Sequence, residues 1–188
     1  MPDLAAASAS SIEGASPKPT PLEEEVVALF DQMQDRLLRY LLSTGVPVHD
    51  GEEIVQEVFL ALFQHLQRGK SRRNLRAWMF QVAHNLSVNH YIARRRDRQS
   101  LVDAGEASAE NFLVDRGPSP EDQVEGTQRH ARLQSVFRAL PEQDRRCLSL
   151  RAEGLTYREI GKVLDMSLGA VALSLGKSLA RFARAEER

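Results

Sequence analysis

The sequence predicts an all-α protein: two small helical domains joined by a flexible acidic linker, the C-terminal one containing a helix-turn-helix. Three observations predict it. Apolar residues recur at helical spacing on both sides of a composition break. The break, residues 99–125, is rich in Gly, Ser, Pro and acids and poor in large apolar side chains. Near the C-terminus a short, capped apolar segment precedes a tight polar turn and a second apolar segment. The expected division is therefore a disordered tail over 1–21, an N-terminal domain over 22–98, the linker over 99–125, and a C-terminal domain over 126–188.

Each element follows from local chemistry. Residues 1–21 are Ala-, Ser- and Pro-rich and aperiodic. From Leu22, the residues Val26, Val27, Phe30, Met33, Leu37, Leu38 and Leu41 keep helical spacing until Gly45 and Pro47. A second helix starts at about Asp50, a plausible N-cap, and its apolar face is Ile54, Val55, Val58, Phe59, Leu62, Phe63 and Leu66. The acids Asp50, Glu52 and Glu53 sit in its first turn, where the helix dipole favours them. The stretch Arg72–Arg98 reads either as one helix or as two broken near Asn85 and Ser87.

Helical spacing resumes with Leu133, Val136, Phe137 and Leu140, and Pro141 opens a further helix that runs to Gly154. Thr156 and Glu159 form a capping box, with Leu155 and Ile160 as its hydrophobic staple. That short helix ends near Leu164. Asp165, Met166 and Ser167 make the turn, Asp165 tolerating positive φ and Ser167 capping a helix through Val171, Leu175, Leu179 and Phe182. The pattern fits a DNA-binding helix-turn-helix or an ordinary helical hairpin; a short capped helix before a tight turn is what groove docking requires.

Bulk properties exclude several classes. The 188-residue chain is 42% hydrophobic, enough for packed cores, yet no apolar run approaches the ~18 residues of a membrane span. No membrane insertion is expected, and the start, MPDLAAASAS, has no basic region ahead of its alanines. The single cysteine, Cys147, excludes an intramolecular disulfide and a multi-cysteine metal site, so a cytoplasmic protein is expected. His49, His65, His84, His90 and His130 show no metal-ligand spacing; no metal, cofactor or catalytic group is expected. The net charge of −1 conceals segregation: nine bases against one acid over 68–98, seven acids against one base over 99–125, twelve bases against seven acids from 126 onward. Two basic blocks around an acidic one suggest two surfaces for a polyanion.

The segments DGEEIVQEVFLALFQHL (50–66), AWMFQVAHNLSVN (77–89) and LPEQDRRCLSLRAEGLTYREIGKVLDMSLGAV (from Leu140) resemble bacterial RNA polymerase sigma factors of the extracytoplasmic-function (ECF) group. The resemblance covers roughly 22–98 and 126–184, in the family's order. It implies core RNA polymerase, promoter DNA and an anti-sigma factor as partners, and a role in promoter recognition, DNA melting and transcription initiation. It places Asp50, Glu53, Gln56, Glu57 and Leu60 against the clamp helices of the largest polymerase subunit. For Glu53 and Glu57 a solvated face ranks second to this docking, and paired catalytic carboxylates a distant third, since no nucleophile or ligand set is present.

In the first basic block, Arg72, Arg73, Arg76, Arg94, Arg95, Arg96 and Arg98 are candidate phosphate contacts, which position without reading sequence. The resemblance places a loop around Asn85, Leu86, Ser87, Asn89 and His90 that captures a base flipped from the non-template strand. Trp78 reads as core and Phe80 as core or stacking platform; Tyr91 stays open. In the C-terminal domain Tyr157, Arg158 and Lys162 are phosphate candidates, and Ser167, Gly169, Ala170, Ser174, Lys177, Ser178 and Arg181 form the expected groove face. The chain departs from the family at Ala172, Leu173 and Ser174, where relatives commonly carry Lys or Arg, so readout of the upstream element is expected to be weak. Alternatives are a free-standing helix-turn-helix regulator, a sigma-like decoy that binds polymerase but fails at promoters, and an enzyme.

Overall fold

The computed structural model describes residues 18–101 and 123–186, with side chains for 18–94 and 129–186. The described residues form helices only, in two bodies. The N-terminal body has α1 (Pro21–Ser43), α2 (Val48–Gln67) and α3 (Leu75–Leu101). The C-terminal body has α4 (Gln123–Arg138), α5 (Glu142–Ala152), α6 (Tyr157–Leu164) and α7 (Leu168–Glu186). The linker expected over 99–125 is shorter by the last residues of α3 and the first of α4; 102–122 and 1–17 lie outside the described residues.

α1 starts on a capping box that the sequence reading missed. Thr20 N–H donates to the Glu23 carboxylate at 2.6 Å and Glu23 N–H donates to the Thr20 hydroxyl at 3.3 Å. Pro21 follows at the first helical position, where no N–H is needed. α2 corrects an expectation. Its N-cap is Pro47, and Asp50 lies inside the first turn, buried and bonded to Arg94 at 2.8 Å. α3 is one continuous helix of 27 residues, so there is no break at Asn85 or Ser87. Polar residues cost only a few tenths of a kcal/mol each in a helix interior, and the Ser87 hydroxyl bonds back to the His84 carbonyl at 2.7 Å instead of disrupting the ladder.

The three helices share one core. Leu37, Leu41, Ile54, Val58, Leu62, Met79 and Phe80 are fully buried in it, each of the larger side chains contributing about 1.5–3 kcal/mol. Phe30 meets Phe59 at 4.8 Å between ring centres, and Tyr40 meets Phe80 edge-on at 5.6 Å. α1 and α2 approach closely at Gly51, where an added Cβ would stand 2.9 Å from Leu38 Cδ1.

The C-terminal body adds Cys147, Leu150, Leu155, Ile160, Val163, Val171 and Leu175 to the same continuous apolar cluster. The Thr156–Glu159 capping box forms as expected, and Asp165 adopts left-handed backbone (φ 53°, ψ 49°) to end α6. The Ser167 hydroxyl accepts from Ala170 N–H at 3.2 Å and starts α7. α6 and α7 cross at 105°, a helix-turn-helix angle rather than that of an antiparallel hairpin. Gly161 makes the crossing possible: a Cβ there would lie 2.7 Å from the Met166 carbonyl oxygen. Leu179, expected on the buried stripe of α7, is 58% exposed; Ser174 and Ser178 take the inward positions beside Val171 and Leu175. The two bodies also touch, α5 lying on α1 and α6 on α3.

Candidate functional site

Three surfaces collect the residues singled out by sequence. The first is the outward face of α2. Glu53, Gln56, Glu57 and Leu60 are all exposed at helical spacing, on a helix held rigid by Ile54, Val58 and Leu62 beneath. Leu60 is 59% exposed among acids, an apolar anchor within a charged rim. His49 stands 3.2 Å from the Glu53 carboxylate, and His90 on α3 stands 3.8 Å from that of Glu57. Asp50 is not part of this face: its side chain is buried and committed to Arg94.

The second surface runs along α3 and the turn before it. Arg72 forks onto Glu25 with distances of 3.1–3.2 Å. Arg76 donates to the Gly154 carbonyl at 3.1 Å and lies 4.0 Å from Glu159. Arg94 holds Asp50. Arg73 is exposed and has no acid partner among the described residues. Arg95, Arg96 and Arg98 continue α3, their side chains outside the described set. Asn85 and Asn89 are exposed four residues apart on one helical face, with His90 half-buried beside them. The base-capturing loop expected here is not a loop, and Ser87 is buried with its hydroxyl spent on backbone, so it leaves the set of readers. Phe80 is fully buried and Trp78 half-buried, tilted against His65 at 4.5 Å between ring centres; both are packing residues. Tyr91, 67% exposed, is the aromatic that α3 presents to solvent, beside Asn89 and His90.

The third surface is the helix-turn-helix. Tyr157, Arg158 and Lys162 are exposed on α6, with the Arg151 guanidinium 5.7 Å from the Tyr157 ring centre. On α7, Ser167 and Gly169 are exposed and Ala170 is half-buried. Ser174 and Ser178 do not belong to the outward face. Ser174 donates to Asp144 at 2.6 Å, and Ser178, fully buried, donates to the Ser174 carbonyl at 2.9 Å. The outward face is a shallow groove lined by Ala172, Leu173, Gly176, Lys177, Arg181 and Arg184. Leu173 is 59% exposed there. Its cations lie toward the C-terminal half of the helix, not at the N-terminal end that enters a groove first.

Two cations that sequence reasoning did not single out, Arg36 and Arg39 on α1, converge on Glu153 of α5 at 2.9 and 3.1 Å. Nearby, the Tyr40 hydroxyl and His84 Nδ1 lie 2.9 Å apart. Burial, then the Arg146 cation, push the His84 imidazole down to about 4, against the opposing pull of Glu142, and burial raises the Tyr40 phenol. Burial alone would raise the Glu159 carboxyl, but Thr156, Asn74 and Arg76 outweigh it and hold the carboxyl below its ordinary value. Burial raises the Cys147 thiol. No three His, Cys, Asp or Glu side chains converge on a metal-sized site among the described residues, and no single described helix is long and apolar enough to cross a membrane.

Comparison with known proteins agrees with both bodies. Residues 29–98 match Sigma-70 region 2 and residues 130–182 match Sigma-70 region 4. The chain is 31% identical over 137 residues to the ECF RNA polymerase sigma-E factor of Escherichia coli K12, covering 70% of this chain and 71% of that one. It is 30% identical over 146 residues to the ECF sigma factor SigE of Mycolicibacterium smegmatis, covering 76% of this chain and 54% of that one. Its fold matches the sigma factor RpoE of Bartonella quintana, solved with the anti-sigma factor NepR, with a TM-score of 0.64 at 16% identity over 87% of this chain and 98% of that one. CnrH, solved with the cytosolic domain of CnrY, gives 0.57 at 23% identity, over 87% and 88%. The chain belongs to the ECF group of RNA polymerase sigma factors, and its function is to direct promoter-specific transcription initiation.

Proposed function

We propose that the outward face of α2 is the contact with core RNA polymerase, and that α3 and the helix-turn-helix are the contacts with promoter DNA. The observation that carries this is Leu60, a large apolar side chain 59% exposed at the C-terminal end of a rigid stripe with Glu53, Gln56 and Glu57. An apolar anchor ringed by polar groups is how a helix docks on a partner helix with a defined register. On α3, Asn85 and Asn89 are the readers of unpaired bases, Tyr91 is the stacking surface, and Arg73 with the arginines 95, 96 and 98 hold phosphates, Arg94 being committed to Asp50. In the C-terminal body Tyr157, Arg158 and Lys162 hold phosphates, while Lys177, Arg181 and Arg184 follow the groove. With Ala172 and Leu173 in mid-helix, base-edge donors are scarce, so sequence specificity rests mainly on the N-terminal body. The functional division follows the predicted one, residues 22–98 and 126–188 joined by an acidic linker. The protein has no chemistry of its own, works in the cytoplasm, and is held in check by an anti-sigma factor, a reading supported by the fold it shares with RpoE, which was solved with the anti-sigma factor NepR.

The test is Leu60→Asp. It is expected to lower retention of the chain on core polymerase at least about tenfold and to abolish promoter-specific run-off transcription, with unfolding by urea unchanged. Arg73→Ala is expected to weaken binding to promoter fragments evenly across sequences and to reduce the log–log salt slope by about one. Wild-type retention by Leu60→Asp refutes the assignment of the α2 face.

A further inference from the structure

α7 has two faces of opposite character. Val171, Ser174, Leu175 and Ser178 turn inward and are buried. The opposite face, over the turns nearest the helix start, consists of Gly169, Ala172, Leu173 and Gly176, all exposed. Leu173 stands at its middle, 59% exposed, with Gly169 one turn before it and Gly176 one turn after. A Cβ at either glycine would meet nothing within 4 Å, so Leu173 projects alone. Leu168 to Arg184 holds no carboxylate. Cations frame the face instead: Arg158 and Lys162 on α6, and Lys177, Arg181 and Arg184 further along α7, all exposed. An apolar knob inside a cationic frame fits an occupant that is anionic at its rims and apolar at its floor. A second copy of the chain would set these cations against their own image. The DNA major groove has the required chemistry, with phosphates along both edges and the thymine C5-methyl as its apolar feature.

We propose that Leu173 reads thymine methyl groups, so that the upstream duplex this chain selects is marked by thymines opposite α7 rather than by guanines. This assignment deepens the groove docking of α7 put forward above and rests on it. Donor–acceptor chemistry excludes the other bases. Guanine is read by Arg or Lys, adenine by Asn or Gln, and cytosine by a carboxylate. None of these side chains stands between Leu168 and Gly176. Lys177 comes only in the third turn of α7, and the Ser167 hydroxyl is engaged by the Ala170 N–H as the helix cap. What remains is apolar contact, which thymine offers through its methyl. Without side chains at Gly169 and Gly176 the helix backbone can approach the base edges closely, which carries Leu173 to the groove floor. The flanking cations hold phosphates, which position α7 without telling one base from another. Leu173 is thus the specificity-determining residue of the C-terminal body.

The experiment uses the full chain with core polymerase, on a promoter recovered by run-off transcription of genomic fragments. Thymines in the double-stranded segment upstream of the melted bases are replaced by deoxyuracil, which pairs identically and lacks only the methyl. Wild type is expected to bind the substituted template about fourfold less tightly for each contacted thymine. Leu173→Ala is expected to bind the thymine and uracil templates equally, the signature of a direct coupling between side chain and methyl. Leu173→Arg is expected to move the preference at the same positions toward guanine. Hydroxyl-radical footprinting on the same templates reports backbone docking separately from base reading. Equal binding of both templates by wild type, or a uracil penalty that persists in Leu173→Ala, overturns the methyl contact while an upstream footprint still supports groove docking. No upstream footprint on either template overturns the groove docking itself. Leu173→Asp that keeps the footprint but abolishes self-association of the chain gives this face to a second copy and overturns the inference.

Discussion

The two glycines of the helix-turn-helix make a matched test of how its crossing is built. Gly161 lies inside α6 where an added Cβ would stand 2.7 Å from the Met166 carbonyl oxygen, well inside van der Waals contact, and the obstacle is backbone rather than a movable side chain. Gly176 lies inside α7 with nothing within 4 Å of the same construction. Alanine in a helix interior gains about 1 kcal/mol over glycine by intrinsic preference. Gly176→Ala should therefore stabilise by about 0.5–1 kcal/mol. Gly161→Ala receives the same gain but must open the α6–α7 turn, and overpacking of this kind costs about 1–3 kcal/mol. The net expectation is destabilisation of up to about 2 kcal/mol for Gly161→Ala. The assay is urea unfolding followed by circular dichroism, the two midpoints moving in opposite directions from wild type. Gly161→Ala should also weaken binding of upstream-element duplex while leaving retention on core polymerase intact. If Gly161→Ala proves as stable as Gly176→Ala, the close approach of α6 to the turn is wrong and so is the groove geometry built on it.

Two further outcomes follow from buried ionisable groups. Asp50→Ala should destabilise by about 1–2 kcal/mol in urea, the low end for a lost buried acceptor because half-exposed Arg94 can return to water, and should leave polymerase retention of the folded chain unchanged; a retention loss without a stability loss would return Asp50 to the docking face. His84 is held neutral in the folded chain down to about pH 4, with Tyr40, Arg146 and Glu142 as the groups facing it, whereas in the unfolded chain it protonates at about 6.5. The unfolded state thus binds more protons between these values, and stability should fall as pH drops from about 6.5 to about 4, by about 1–2 kcal/mol once its partial exposure is discounted. His84→Gln should flatten the stability–pH curve in that window, and an unchanged curve would show that the imidazole is not desolvated. Glu159, whose carboxyl is depressed, contributes stability that is lost only at more acid pH, which keeps the two effects separable.

Much of the architecture was legible because it rests on short-range rules. The Thr156–Glu159 box, Asp165 in left-handed backbone, Ser167 at the start of α7 and the Pro141 boundary each depend on residues within four positions of one another, and each appears where the pattern puts it. The same rule holds for α1, where Thr20, Pro21 and Glu23 repeat the signature at the end of an otherwise aperiodic segment. The exposed stripe Glu53, Gln56, Glu57, Leu60 was equally readable, because the buried stripe of α2 fixes the opposite face by helical geometry alone.

What failed were readings that needed a neighbour from another helix. Asp50 looked like a cap because its partner, Arg94, is 44 positions away. Ser174 and Ser178 looked outward because serine is usually exposed, yet Asp144 on α5 receives one hydroxyl and the α7 backbone the other, so both can be buried without an unpaired donor. Helix positions, caps and turns were thus determined by the sequence itself, since a backbone satisfies its first and last hydrogen bonds locally. The docking of α5 on α1, and with it the burial of Glu153 between Arg36 and Arg39, was decided only in three dimensions. A charge more than a hundred residues from its partners carries no local signal of them, because ion pairing depends on distance in space and not along the chain.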